Sequence, residues 1–328
     1  MESAGFDGAA DRWWTAERAR ARLGPFGVWI APATLLATPV AVMRAQLRRL
    51  EGVGYGSFWT GEPPAGAPVA GREVFSQLAV ALAATDRLVL GAGIANVAAR
   101  VPSATHTASA TLAEAYPDRL VLGLGGAGGP RPLRALREYL DALDTVAARA
   151  LPGARYPRVL AALGPKALRL ARERVDGVHP FLQPVAHTAF ARRVVGEGPL
   201  VVPHLAVSLE PEPALAREAI RAVRRASGSG RALREGGEHE KSGGSEGGVE
   251  NAYDRSYRRL GFGDADLADG GSDALVDALL AHGEPPAVVT RAREHLEAGA
   301  DHVLLHPLTV DLPSAVDDLE RLAPFLLE

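Results

Sequence analysis

The chain of 328 residues contains no cysteine. Thiolate nucleophiles, disulfides, iron–sulfur clusters and cysteine-ligated zinc are thereby excluded, and histidine and carboxylates are left as the only strong metal ligands. Lysine is almost absent too: Lys166 and Lys241 stand alone, and arginine carries nearly all the positive charge. The formal net charge is -3 with no basic cluster, so the electrostatic footprint that nucleic acid requires is missing and no nucleic-acid partner is expected. No run of about 18 apolar residues occurs. The N-terminal MESAGFDGAADRWWTAERARAR is polar and mixed in charge instead of basic then apolar, so a cytoplasmic protein with no membrane partner is expected.

What is present is a rhythm. Eight short apolar, β-branched runs alternate with helix-length amphipathic segments: Phe26–Ala31, Ser57–Thr60, Arg87–Ala92, Arg119–Leu124, Arg158–Leu163, Gly177–Leu182, Leu200–Ser208 and His302–His306. Near-continuous apolar strands are what burial on both faces demands. Helices are predicted over Pro39–Gly52, Ser103–Tyr116, Pro132–Ala150, Pro165–Arg174 and Pro211–Arg225, several opening on proline or serine as helix N-termini prefer. Eight strand–helix units predict a closed (β/α)8 TIM barrel, with a doubly wound open sheet as the alternative. One stretch breaks the pattern: residues 227–250 are glycine, serine and charge, too poor in apolar area to offset their ordering entropy, and read as a disordered insertion after strand 7. The expected organisation is an extension over residues 1–23 and a barrel over 24–328.

In a parallel barrel the site lies at the C-terminal ends of the strands. Gly61-Glu62-Pro63-Pro64, Gly93-Ile94-Ala95-Asn96, the glycines between 123 and 129, and Gly164-Pro165-Lys166 follow strands 2 to 5. Gly123, Gly125 and Gly128 match GxGxxG, but they follow the fourth strand and lack an acid at a second strand end, which argues against a dinucleotide fingerprint. Bare backbone here suits the close approach of a flat ring. Gly164-Pro165-Lys166 reads as a helix N-terminus with a cation beside free N–H groups, a seat for phosphate or simply a helix start. His179, His204 and His306 come from separate strands with no acidic pattern nearby, so no metal site is expected. No GxSxG stands on a strand-to-helix turn, which disfavours serine hydrolysis.

The segments LRRLEGVGYGSFWTGEPP, RLVLGAGIANVAARVPSATHTASATLAEAYPDRLVLGLGG, GPKALRLARERVDGVHPFLQPVAHTAFARRV, RRLGFGDADLADGGSDALVDAL and REHLEAGADHVLLHPL, in that order, resemble the bacterial luciferase-like monooxygenase superfamily in its coenzyme F420-dependent branch. The likeness runs from about Gly24 to Phe325 outside the insertion. It implies a barrel with a deazaflavin or flavin ring in its mouth, a bulge in strand 3 with a non-prolyl cis peptide at Gly93–Ile94, and Asn96 against the ring's polar edge. Gly125 and Gly126 would lie beneath the ring, Glu62 would face it, and Gly164, Pro165 and Lys166 would meet its phosphate. It also implies a homodimer acting on a small-molecule substrate.

The departures from the family pattern carry information. Members that dehydrogenate sugar phosphates or alcohols place an Asp-His pair after strand 2 and an acid after strand 4, where this chain has Glu62-Pro63 and Gly128. Loss of hydride from an alcohol needs a base for the hydroxyl proton. The expected direction is therefore reduction of an activated double bond or imine by reduced F420, with solvent or a histidine as proton source, alcohol oxidation being open only if His179 or His204 supplies the base. An FMN-dependent monooxygenase, or a flavin-binding protein without turnover, are the alternatives. Glu62→Ala and Lys166→Ala are both expected to weaken cofactor binding with little loss of apo-protein stability.

Overall fold

In the computed structural model the residues described are 21–63, 71–128, 130–226 and 250–327. Ten parallel strands form one curled sheet: β1 (Phe26–Trp29), β2 (Ser57–Thr60), β3 (Val89–Asn96), β4 (Leu120–Gly125), β5 (Arg158–Leu160), β6 (Gly177–Val178), β7 (Leu200–Val201), β8 (His204–Ser208), β9 (Leu280–His282) and β10 (Val303–Pro307). Their order is β7-β6-β5-β4-β3-β2-β1-β10-β8-β9. β7 and β8 are the two halves of the single predicted run Leu200–Ser208, separated at Val202 and Pro203, where proline has no N–H to give. That run is hydrogen-bonded on both sides. Val202 N–H donates to Val178 O at 2.9 Å and His204 N–H to Pro180 O at 3.0 Å, while Leu304 N–H donates to Pro203 O at 2.9 Å. The sheet thus closes into the eight-stranded barrel that the rhythm of the sequence predicts, and each predicted run holds a barrel strand.

Helices cover the outside. Val40–Val53, Pro102–Ala115, Pro132–Ala147 and Pro165–Arg174 lie within a few residues of the predicted segments. The first ends on Gly54 in the left-handed region at φ 102°, two residues beyond the predicted stop at Gly52, a conformation glycine adopts freely. Strand alternation sorts the core into two layers. Val28, Phe58, Leu90, Leu122, Leu160, Leu205 and Leu305 pack outward with the helices, and Trp29, Trp59, Val89, Val121, Val159, Leu200, Val202 and Leu304 fill the barrel interior.

One strand outruns its predicted apolar run through the bulge that the resemblance implies, and one segment departs from the reading of the sequence. β3 does not stop at Ala92 but continues to Asn96 through a register shift between Ala92 and Ala95, because the extra residues bulge out of the ladder. A ninth segment, β9, pairs with the outer end of β8, with Ala206 opposite Leu280 and Ser208 opposite His282. It belongs to a small third cluster in which Leu182, Ile220, Tyr257, Leu275 and Leu279 pack together beside the mouth. The expected insertion falls outside the described residues except for Glu250, and so does nearly all of the expected N-terminal extension.

Candidate active site

The inward-facing positions at the C-terminal ends of the strands are unequally furnished. β3, β4 and the end of β5 bring Gly93, Gly125 and Ala161, whereas β1, β6, β8 and β10 bring Trp29, His179 with Phe181, His204 and His306. One arc of the mouth is bare and the facing arc is built of rings. One layer below that arc two further glycines are demanded by packing: a Cβ on Gly91 would overlap the Trp59 indole, and one on Gly123 would overlap the Ala92 carbonyl oxygen.

The bulge in β3 carries a cis peptide between Gly93 and Ile94. Its two carbonyl groups point to different partners. Trp29 Nε1–H donates to Gly93 O at 2.8 Å, and Glu62 N–H donates to Ile94 O at 2.9 Å. The Glu62 carboxylate accepts from Asn96 N–H at 2.8 Å and forms a two-pronged ion pair with Arg100, whose Nη1 lies 2.7 Å from Glu62 Oε2. Asn96 is buried, with Oδ1 accepting from Ala98 N–H at 2.9 Å and Nδ2 directed to Pro63 O at 3.4 Å. Glu62, Asn96 and Arg100 therefore brace the bulge as one unit. Arg100 was not singled out in the sequence, where nothing in its spacing marks it as the partner of a residue 38 positions earlier.

The ring wall is dry and uncharged. Trp29 packs against Phe181, His204 and His306 with ring centroids 4.9, 5.3 and 4.6 Å apart. His179 is 1% exposed; its Nδ1–H donates to Val202 O at 2.8 Å, and its Nε2 has no partner and would lie 3.2 Å from a Cβ on Gly93. Burial pushes the His179 ring down to about 4, against which the Val202 carbonyl is a smaller opposing influence, so it is neutral near pH 7. His204 and His306 are joined Nε2 to Nδ1 at 2.9 Å, and burial holds both below the ordinary histidine range. The structure thus brings both expected catalytic histidines into the mouth and adds His306.

Across the rim, the helix Pro165–Arg174 starts on Gly164 with no side-chain cap, and Lys166 is exposed in its first turn. Arg259 Nη2 donates to Leu163 O at 3.1 Å and lies 3.8 Å from where a Cβ on Gly164 would sit, so a second cation stands at this corner. Gly126, at φ 77°, lies over the Asn96 side chain. Among the described residues no group of three histidines or carboxylates is placed to hold a metal, and no helix is long and apolar enough to cross a membrane.

The closed parallel barrel with a bulged third strand places the chain in the class of α/β barrel proteins. Residues 22–302 match the profile of the luciferase-like monooxygenases, and the chain belongs to that family. A coenzyme F420-dependent oxidoreductase of Mycobacterium tuberculosis is 31% identical over 129 residues, which is 36% of this chain and 35% of that relative, so the match spans about a third of the relative's length. Among solved structures, the coenzyme F420-dependent tetrahydromethanopterin reductase of Methanopyrus kandleri superposes with a TM-score of 0.68 at 19% identity over 92% of this chain and 99% of its own. The FMN-bound oxygenating component of a diketocamphane monooxygenase from Pseudomonas putida superposes with a TM-score of 0.64 at 13% identity over 92% and 98%. These likenesses show the fold and, with the profile match, an oxidoreductase family that includes both F420- and FMN-dependent members.

Proposed function

We propose that the chain is an F420-dependent oxidoreductase that moves a hydride from reduced deazaflavin to a small, uncharged organic substrate held in the barrel mouth. The observation that carries this reading is the division of the mouth into a glycine and alanine arc around the Gly93–Ile94 bulge and a facing wall of Trp29, Phe181 and three histidines. The residues present fit a flat heteroaromatic ring. The buried His179 Nε2 has no partner and stands against the bulge, 3.2 Å from where a Cβ on Gly93 would lie, an acceptor that a donor on a bound ring would satisfy. Gly93, Ile94, Asn96, Gly125 and Gly126 would lie along the ring, and Gly164, Pro165 and Lys166 would meet the phosphate, helped by Arg259. The bound coenzyme supplies the two-electron chemistry.

The chain's own residues orient, exclude water and stay neutral. Glu62 serves this site by fastening Arg100 and the Asn96 N–H, which holds the bulge in place. Pro63 and Gly128 have no proton to give or take, and the Glu62 carboxylate is engaged by Arg100, so a base for alcohol oxidation is missing from those positions and reduction is the favoured direction. The M. tuberculosis relative supports F420. The FMN-bound neighbour supports a second reading, a flavin-dependent monooxygenase on the same residues.

The test is a fluorescence-quenching titration with F420 and with FMN, each oxidised and reduced. Selective F420 binding supports the proposal, a preference for FMN moves it to the second reading, and binding of neither refutes both. Lys166→Ala is expected to weaken binding about tenfold, the order of one charge-assisted contact. A homodimer belongs to the same proposal, and sedimentation velocity checks it.

A further inference from the structure

His204 and His306 share one hydrogen bond, and the remaining two nitrogens of the pair lie in different surroundings. His204 Nδ1 is buried without a partner. His306 retains 5% exposure, and its Nε2 has no partner among the described residues. Two neutral arrangements are available. If His306 donates, His204 must carry its own proton on Nδ1, a buried N–H whose nearby acceptor, its own backbone carbonyl, lies outside ordinary hydrogen-bond geometry. If His204 donates from Nε2, only a ring lone pair is stranded at His204 Nδ1, and the proton of His306 must sit on Nε2. Stranded buried N–H groups are the rarer and costlier defect, so the second arrangement is preferred.

The surroundings keep the pair in that state. The titratable neighbours of the pair are His179 from β6 and His295 from the helix Pro285–Glu297; Trp29 from β1 and Phe181 complete the wall, with Phe181 only 4.0 Å from the His204 ring centroid. Among the described residues no carboxylate bonds to either ring. Burial pushes His306 down to about 3, so it enters the mouth as an uncharged imidazole.

We infer that His306 is the hydrogen-bond donor that meets the substrate, a neutral imidazole locked with its proton on Nε2 by His204, and that the matching substrate is an uncharged compound whose carbonyl oxygen is conjugated to the bond receiving the hydride. This rests on the oxidoreductase reading for the hydride, while the tautomer stands on geometry alone. His306 polarises the carbonyl by donating and keeps its proton; hydride addition leaves an enolate, which takes its proton from solvent water. A neutral imidazole can act as an electrophile of this kind without titrating. His204 is a positioning residue: among the described residues its ring hydrogen-bonds to one side chain, His306 at Nδ1, and otherwise packs on Trp29 and Phe181. The wall suits such a ligand: aromatic faces for an unsaturated plane, and no charged side chain to favour an acid or amine.

The test uses the full chain labelled with nitrogen-15 at histidine and long-range proton–nitrogen correlation between about pH 5 and pH 8. His306 is expected to be neutral with its proton on Nε2 throughout, and His204→Phe is expected to release it into a mixture of tautomers with the circular dichroism unchanged. Cyclohexenone is the probe, titrated with and without oxidised F420. It is expected to move the His306 Nε2–H resonance and, without F420, to bind His306→Phe about fivefold more weakly, with partial recovery in His306→Gln. An Nδ1–H tautomer in wild-type protein, titration of His306 within that range, or equal cyclohexenone affinity in His306→Phe overturns the inference while leaving F420 binding intact. Failure of wild-type protein to bind F420 with the Nε2–H tautomer present overturns the coenzyme reading instead, and the probe titration without F420 still decides the donor.

Discussion

Replacing Glu62 by alanine should destabilise the protein before any ligand is added. The carboxylate is 9% exposed and its partner Arg100 14%. Removing one member of such a pair strands a guanidinium in a mostly dry place, at a cost of about 3–5 kcal/mol for a fully buried pair. Here Arg100 keeps a second contact with Glu73 at 3.1 Å and lies over the Phe75 ring, which offsets part of that cost, while the Asn96 N–H loses its acceptor, which adds to it. The net expectation is about 2–4 kcal/mol. With unfolding entropy of about 2.1 cal/mol/K per residue, a chain of 328 residues loses roughly 1.5 °C of melting temperature per kcal/mol, so Tm should fall by about 3–6 °C. This corrects the expectation from the sequence that Glu62→Ala leaves the apo protein unchanged. Thermal unfolding followed by circular dichroism measures it, and the Glu62→Ala/Arg100→Ala double variant should be less damaged than the sum of the singles by about 1–3 kcal/mol. A melting temperature within about 1 °C of wild type would refute the argument and return Glu62 to a role facing the ligand.

Gly91→Ala should cost at least about 2 kcal/mol, since its Cβ would overlap Trp59 inside the barrel, while Gly128→Ala, with nothing within 4 Å of the new methyl, should be neutral; urea midpoints compare the two. Asp301→Ala should cost about 3–5 kcal/mol, because that carboxylate is fully buried, pairs with Arg192 and accepts from Val201 N–H at 2.9 Å, and the same urea series reads it. Acid should unfold the protein early. Burial holds His179, His187 and His302 down to about 4 and His295 and His306 to about 3, below the unfolded value near 6.5, so the native state takes up fewer protons than the unfolded chain. The stability is therefore fully present above about pH 6.5 and is lost as pH falls through the folded values, by up to about 1.4 kcal/mol per pH unit for each ring; a urea midpoint that stays flat from about pH 7.5 to pH 5 would contradict this.

The barrel was readable because its cause is local. Strands buried on both faces must be apolar over four to six residues, helices must show a stripe, and these periods are written into consecutive residues, so all eight runs from Phe26 to His306 hold barrel strands. The short β9 escaped because Leu280–His282 continues the apolar face of the preceding helix without a break in composition. The positions of the mouth were also readable in kind: Gly125, Gly164 and His179 stand at or just past strand ends, with Gly93 in the bulge of β3 and His204 at the start of β8.

Partnerships were a different matter. That Glu62 answers Arg100, that Trp29 caps the Gly93 carbonyl, and that His204 settles the proton of His306 depend on residues 38, 64 and 102 positions apart meeting at one rim. No periodicity records such a meeting. The order of apolar and polar residues decides which elements form and which faces they bury, because burial free energy acts through every neighbour alike. The charge state and tautomer of a side chain answer instead to the few atoms at hydrogen-bond distance, and those are chosen by closure of the sheet.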